Sequence, residues 1–346
     1  MSTIHSTRSR FHRIGSAVIA AAASALLLVG CTAPSTGGTG GADDGTVKGK
    51  TVALVGYGDT SPWGAYFNSI YIPALKAEGA NVVDMTTMDA GTQVQNFNQA
   101  VSQHPDVIVT LLLDTAAMVG PMKKAIAAGI PVIVVDGPAD PAVADDPNIR
   151  AVLSDNESLG ELAAQNLIEG IKAQGKTGGN VIVISGTQAM LVTQDRMKGF
   201  NKVFDANPDF KIIDLQDGNW DPTLSGTIAQ QLLAKYGPDG VQGAYGMADY
   251  MAVPIINAAK QLGFKLGGDD GLIVTGGNCF KAGIDAIKAG EMYGTATEDP
   301  GTIAEKSAAY TVDFLNGKKV DRVVTLPEDR VTAANLDEFA DRCSKA

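Results

Sequence analysis

A chain of 346 residues suggests about two compact domains at the usual size of roughly 100 to 200 residues each. With 45% hydrophobic and 19% charged residues it can build cores, and only one apolar run approaches the roughly 20 residues of a membrane span, so a disordered polymer and a polytopic membrane protein are both excluded. The net charge of −11 offers no basic footprint for nucleic acid or anionic lipid, whose phosphates are bound through Lys and Arg.

The first 30 residues carry Arg8, Arg10 and Arg13 and no acid, then an alanine-rich apolar run from Ile14 to Val29. This is the layout of an export signal, and its removal deepens the net charge to −14. A single anchoring helix is the other reading, but the run is short and its tail, Leu28-Val29-Gly30-Cys31, resembles the lipobox of bacterial lipoproteins. That resemblance implies cleavage before Cys31, lipidation of this cysteine and attachment to the outer face of the cell membrane through acyl chains. Residues 1–30 are therefore expected to be a lipoprotein signal peptide. Residues 31–50, mostly Gly, Ser, Thr and Ala, read as a lipidated flexible tether.

Beyond the tether, short β-branched runs alternate with helix-sized segments: TVALVG (51–56), NVVDM (81–85), DVIVTLLL (106–113) and PVIVVD (131–136). Near-continuous apolar strands linked by helices predict a parallel sheet covered on both faces. Ser154-Asp155-Asn156-Glu157 has the form of a capping box, with Leu159, Leu162, Ala163 and Leu167 following at helical spacing. A second set of strands follows: VIVIS (181–185), FKIIDL (210–215), VQGAY (241–245), GLIVTG (271–276) and MYGTAT (292–297). The fold class is thus α/β, two doubly wound parallel-sheet, Rossmann-like lobes in series.

Ligands of such sheets bind beyond the carboxyl ends of the strands. The residues there include Tyr57, Asp59, Ser61, Trp63, Asp114, Asp136, Thr187, Asp217, Asn219, Trp220, Asp249, Asn278, Glu298 and Asp299. Many must be helix caps and turn residues. Trp63 and Trp220, the chain's two tryptophans, follow strands in opposite halves. An aromatic face beside carboxylates and amides suits a polyhydroxylated ligand, whose C–H faces stack while its hydroxyls bond to planar polar groups.

Chemistry has few candidates. His5 and His12 leave with the signal, His104 sits at a predicted helix end, and neither a nucleophile elbow nor a metal-ligand spacing is present. Residues 170–177 (GIKAQGKT) match a phosphate-loop pattern, but in reverse order, at the end of a helix and before a strand. No catalytic residue, metal or cofactor is expected. Outside the cytoplasm Cys279 and Cys343 are either joined or separate thiols; an even number in an oxidising compartment favours the disulfide.

Taken together, TVALVGYGDTSPWGAYF, AIAAGIPVIVVD, SDNESLGELAA, QDRMKGF, GMADYMA and DAIKAGEMYGTATEDPGTIAEKSA resemble the ribose-binding-like branch of type I periplasmic binding proteins of ABC transporters. The resemblance implies a three-strand hinge crossed near Ser154, Glu298 and Asp321. The lobes would then comprise residues 51–154 plus 299–322, and residues 155–298 plus 323–346. It also implies ligand contacts at Ser61, Trp63, Asp136, Gln194, Trp220, Asp249, Asn278 and Glu298. Two departures stand out: Gly137 occupies a position where ribose binders carry Arg, and Gln194 occupies another. Loss of both guanidinium groups points away from ribose towards a related neutral sugar or polyol. A monomer working with a membrane permease and a separate ATPase is expected. A nucleoside or signalling-sugar receptor and an exported carboxylate-based hydrolase or isomerase are the competing readings. A lactose-repressor-like regulator would need a DNA-binding helix-turn-helix where the export signal stands.

Overall fold

The computed structural model describes residues 47–343 and 345; the signal segment, Cys31 and most of the tether lie outside them. In chain order the first half runs β1 (Thr51–Val55), α1 (Pro62–Ala77), β2 (Asn81–Asp84), α2 (Ala90–Ser102), β3 (Val107–Thr110), α3 (Thr115–Ala127), β4 (Val132–Asp136), α4 (Pro141–Ala144) and β5 (Ile149–Ser154). The second half runs α5 (Asn156–Ala173), β6 (Gly179–Ser185), α6 (Leu191–Asp205), β7 (Phe210–Asp217), α7 (Pro222–Gly240), β8 (Gly243–Gly246), α8 (Asp249–Gln261), β9 (Ile273–Thr275), α9 (Lys281–Lys288) and β10 (Gly294–Ala296). The chain closes with α10 (Pro300–Leu315), β11 (Val323–Leu326), β12 (Arg330–Thr332) and α11 (Leu336–Cys343).

Two six-stranded sheets result, with orders β11-β5-β4-β3-β1-β2 and β12-β10-β9-β8-β6-β7. The first is wholly parallel, and in the second only β12 runs antiparallel, against β10. All residues of β3 and β4 are buried, which explains why each is apolar up to its last residue, since helices cover both faces. Asp89, Asp114, Asp155, Asp221 and Asp299 each accept a backbone N–H at the start of α2, α3, α5, α7 and α10. Several acids after strands are thus helix caps, as their residue type alone suggests.

The chain passes between the sheets three times, after β5, after β10 and after β11. Because β11 pairs with β5 along Val323–Leu326, the third passage falls at residues 327–329, beyond the expected position near Asp321. The first lobe therefore includes residues 323–326, which the sequence reading assigned to the second. The three passages bond to one another: Asp155 N–H donates to Leu326 O (3.2 Å), and Thr297 and Asp329 exchange Thr297 N–Asp329 O (3.0 Å) and Asp329 N–Thr297 Oγ1 (2.7 Å).

Helices α5 and α6 meet backbone to backbone. A Cβ on Gly160 would stand 1.9 Å from Arg196 O, and one on Gly199 would stand 1.9 Å from Glu157 O. This close approach fixes the height at which α6 presents Arg196. Residues 170–177 end α5, with Gly175 at φ +75° before β6, an arrangement that turns no helix N-terminus towards a phosphate.

Candidate functional site

The carboxyl ends of both sheets face each other across a cavity walled by both lobes. The first lobe supplies Tyr57, Ser61, Trp63, Met88 and Asp136 to its wall. From the second come Met190, Val192, Arg196, Trp220, Tyr250 and Asn278. The lobes touch here: Thr115 N–H reaches Ala189 O (3.4 Å), and a Cβ on Gly137 would lie 2.5 Å from Val192 Cγ2. An Arg at position 137 would collide with α6 in this arrangement, which accounts for the glycine.

Ser61 caps α1, accepting Gly64 N–H, and Trp63 begins that helix. The indole of Trp63 meets Tyr57 edge-on at 5.5 Å and starts a stack through Phe67 (5.3 Å) to Tyr71 (5.0 Å). Its Nε1–H donates to Glu298 Oε1 at 3.1 Å. Across the cavity Trp220 has φ +55°, donates Nε1–H to Met190 Sδ at 3.0 Å and lies beneath the Arg196 guanidinium, 5.2 Å from the ring centre. Gly186 makes room for it, since a Cβ there would come within 2.0 Å of the indole.

Arg196 is the hub of the polar wall and is 1% exposed. It donates Nε–H to Asn156 Oδ1 (2.8 Å), Nη1–H to Met247 O (3.1 Å) and Asn278 Oδ1 (3.5 Å), and Nη2–H to Glu298 Oε2 (3.1 Å). Glu298, wholly buried on the second passage, accepts from Trp63, Arg196 and Asn278 Nδ2, so it joins both lobes at the hinge. Burial and the neighbouring Asp136 charge push the Glu298 carboxyl well above the usual carboxylate range, against the pull of Arg196.

Asp136 ends β4 with φ +71°, and its carbonyl accepts Asn156 Nδ2–H (3.3 Å). Burial raises its carboxyl pKa, with Arg196 opposing. Its Oδ1 and the Tyr57 hydroxyl are buried without a protein partner, although buried polar atoms nearly always have one. Both groups belong to residues of the cavity wall.

Of the residues singled out from sequence, Ser61, Trp63, Asp136, Trp220 and Asn278 line the cavity and Glu298 backs it. Gln194 does not: it is exposed and donates to Gln188 O (2.8 Å), because the inward stripe of α6 is Val192, Thr193, Arg196, Met197 and Phe200. The guanidinium expected to be missing is therefore supplied two positions later, by Arg196. Asp249 does not face the cavity either. Gly276 and Gly283 close over its carboxylate, which accepts Thr295 Oγ1–H (2.7 Å) and Phe280 N–H (2.7 Å), and burial raises its pKa to about 8. Tyr57, Tyr250 and the methionines Met88 and Met190 complete the wall. An arginine within an apolar helical stripe was the signal that could have identified Arg196. The sulfurs of Cys279 and Cys343 are joined, with Cα atoms 5.0 Å apart.

Residues 52–319 match the model of the periplasmic binding protein domain. The chain belongs to the periplasmic binding protein family. Among its relatives, the fructose import binding protein of Bifidobacterium longum is 26% identical over 95% of this chain and 98% of its own length. The xylitol-binding protein of Mycolicibacterium smegmatis is 23% identical over 72% of this chain and 67% of its own. A solved galactofuranose-binding protein superposes with a TM-score of 0.75 at 21% identity, covering 85% of this chain and 98% of that one. This periplasmic binding protein thus shares the two-lobed type I architecture.

Proposed function

We propose that this protein is the extracytoplasmic receptor of an ABC importer, holding a small neutral sugar or sugar alcohol between its closing lobes without changing it. The observation that carries the reading is the cavity itself, in which indoles from opposite lobes face the buried, unpartnered Asp136 Oδ1 and Tyr57 hydroxyl. Stacking faces beside in-plane acceptors match the two kinds of surface a sugar presents. The named ligands of the relatives, fructose and xylitol, fall within the same class. A hydrolase reading loses its carboxylate pair, because Glu298 is already bound by Trp63, Arg196 and Asn278.

Lipidation at Cys31 would tether the receptor beside a membrane permease served by a separate ATPase. The test is a thermal-shift and calorimetric screen of pentoses, hexoses, tetritols, pentitols, hexitols, nucleosides and hexose phosphates. A ligand at ~100 times its Kd stabilises the protein by about 2.7 kcal/mol. A neutral sugar or polyol should raise the melting temperature and lose this effect in Asp136→Ala. A response confined to nucleosides or phosphates would overturn the ligand class.

A further inference from the structure

The C-terminal helix α11 packs on α9 and β12 of the second lobe, yet two of its adjacent residues reach separate parts of the cavity wall. Cys343 is bonded to Cys279, the residue after Asn278, and both Asn278 and Cys279 hold left-handed backbone, φ +82° and +55°. Asn278 lines the cavity and donates to Glu298. Arg342 donates Nη2–H to Thr297 O at 2.8 Å and Nε–H to the Asp299 carboxylate, on either side of Glu298 in the second passage. Asp299 also caps α10 of the first lobe, accepting Thr302 N–H at 2.8 Å. One short helix thus grips the loop carrying Asn278 and the hinge strand carrying Glu298, and through Asp299 it reaches the opposite lobe.

We propose that α11 is a positioning element of the ligand site, in which Cys343 and Arg342 act as a clasp that holds Asn278 and Glu298 in register with Trp63 and Arg196. The physical reason is backbone conformation. A non-glycine pair at positive φ persists only where its surroundings over-determine it, and the disulfide supplies that constraint for residues 278–279. Residues 297–299 form no regular element, and Arg342 donates there to the Thr297 carbonyl and the Asp299 carboxylate. Neither Cys343 nor Arg342 lines the cavity, so both act through other residues. The proposal takes from the sugar-receptor reading only that this cavity is the ligand site.

The test uses the full chain, Arg342→Ala, Arg342→Lys, and the paired Cys279→Ser with Cys343→Ser. Trp63 and Trp220 are the chain's two tryptophans and both line the cavity, so acrylamide quenching of their fluorescence reads the site with no sugar added. Calorimetry with the sugar found in the screen reads affinity. At a temperature where circular dichroism shows every variant folded, Arg342→Ala and the serine pair should quench more readily than wild type. Loss of the charge-assisted contacts should weaken sugar binding about tenfold. Arg342→Lys, which keeps the charge beside Asp299, should recover part of both. Unchanged quenching and affinity, with only a lower melting temperature, would reduce α11 to a stabilising appendage and overturn the proposal. If no sugar binds the wild type but quenching still rises in the variants, the clasp stands and the ligand class falls.

Discussion

Replacing Arg196 by Met removes four hydrogen bonds and one half of an ion pair whose side chains are 2% and 0% exposed. At 3.1 Å the Coulomb attraction to Glu298 is about 5 kcal/mol for an effective dielectric near 20, most of it offset by the desolvation of both charges. The variant, however, leaves Glu298 buried with no partner charge, and such orphaning costs about 3–5 kcal/mol. In a chain of this size that corresponds to roughly 5–10 °C in Tm. Adding Glu298→Gln should relieve the orphaned charge, so the double variant is expected to be more stable than Arg196→Met alone. The loss should also be larger at pH 8 than at pH 5, because the orphaned carboxyl can take up a proton that the unfolded chain, above a pH of about 4.5, does not hold. Denaturant titrations of the wild type, Arg196→Met, Glu298→Gln and the double variant at both pH values measure all three effects. Purely additive losses in the double variant, or a loss in Arg196→Met below about 1 kcal/mol at pH 8, would refute the view of Arg196 as the charge hub.

Gly186→Ala should leave the protein folded yet displace Trp220, since the new methyl would lie 2.0–2.5 Å from three indole atoms. A red-shifted tryptophan emission and an affinity at least about tenfold weaker are expected, and a wild-type titration curve would contradict the stacking role. Glu328, on the third passage, has its carboxyl raised by burial to about 8 and accepts Thr297 Oγ1–H at 3.2 Å. Its folded-state pKa exceeds the unfolded value of about 4.3, so stability present at low pH is lost as pH rises through the window from about 4 to 8, by up to about 1.4 kcal/mol per unit. Glu328→Gln, which keeps an acceptor for Thr297, should flatten the melting-temperature profile across that window; an unchanged slope would mean that Glu328 is ionised throughout.

The chain's α/β rhythm was legible because β3 and β4 are covered on both faces and so are apolar up to their last residues. Strand β5 was not read as one: Ile149–Ser154 mixes Arg150 and Ser154 with its apolar residues and offers no clear run. Strand β11 is a half-exposed edge whose assignment depends on pairing with residues about 170 positions earlier in the chain, and that pairing moved the third passage. In the site, Trp63, Asp136 and Trp220 were found because they follow strand ends. Gln194 was mistaken for the cavity residue because the resemblance located the helix but not its rotation, and only the buried stripe of α6 distinguishes position 194 from position 196. Asp249 follows a strand like the others, but Gly276 and Gly283 let the backbone close around it, a consequence of packing that spacing cannot show.

Asp136, Asn219, Trp220, Asn278 and Cys279 all carry left-handed backbone, and all stand at or beside the cavity. Each such residue costs about 1–3 kcal/mol when the chain folds. The receptor is therefore assembled at the expense of its own stability before any sugar arrives. A sugar then meets side chains whose directions are already chosen, and little of its affinity is consumed in ordering them. Glycine would relax the backbone at these positions, but it would delete the Trp220 ring, the Asp136 carboxyl and the Cys279 disulfide and leave a less discerning wall. Epimers differing in one hydroxyl would then meet a wall able to shift and accept both.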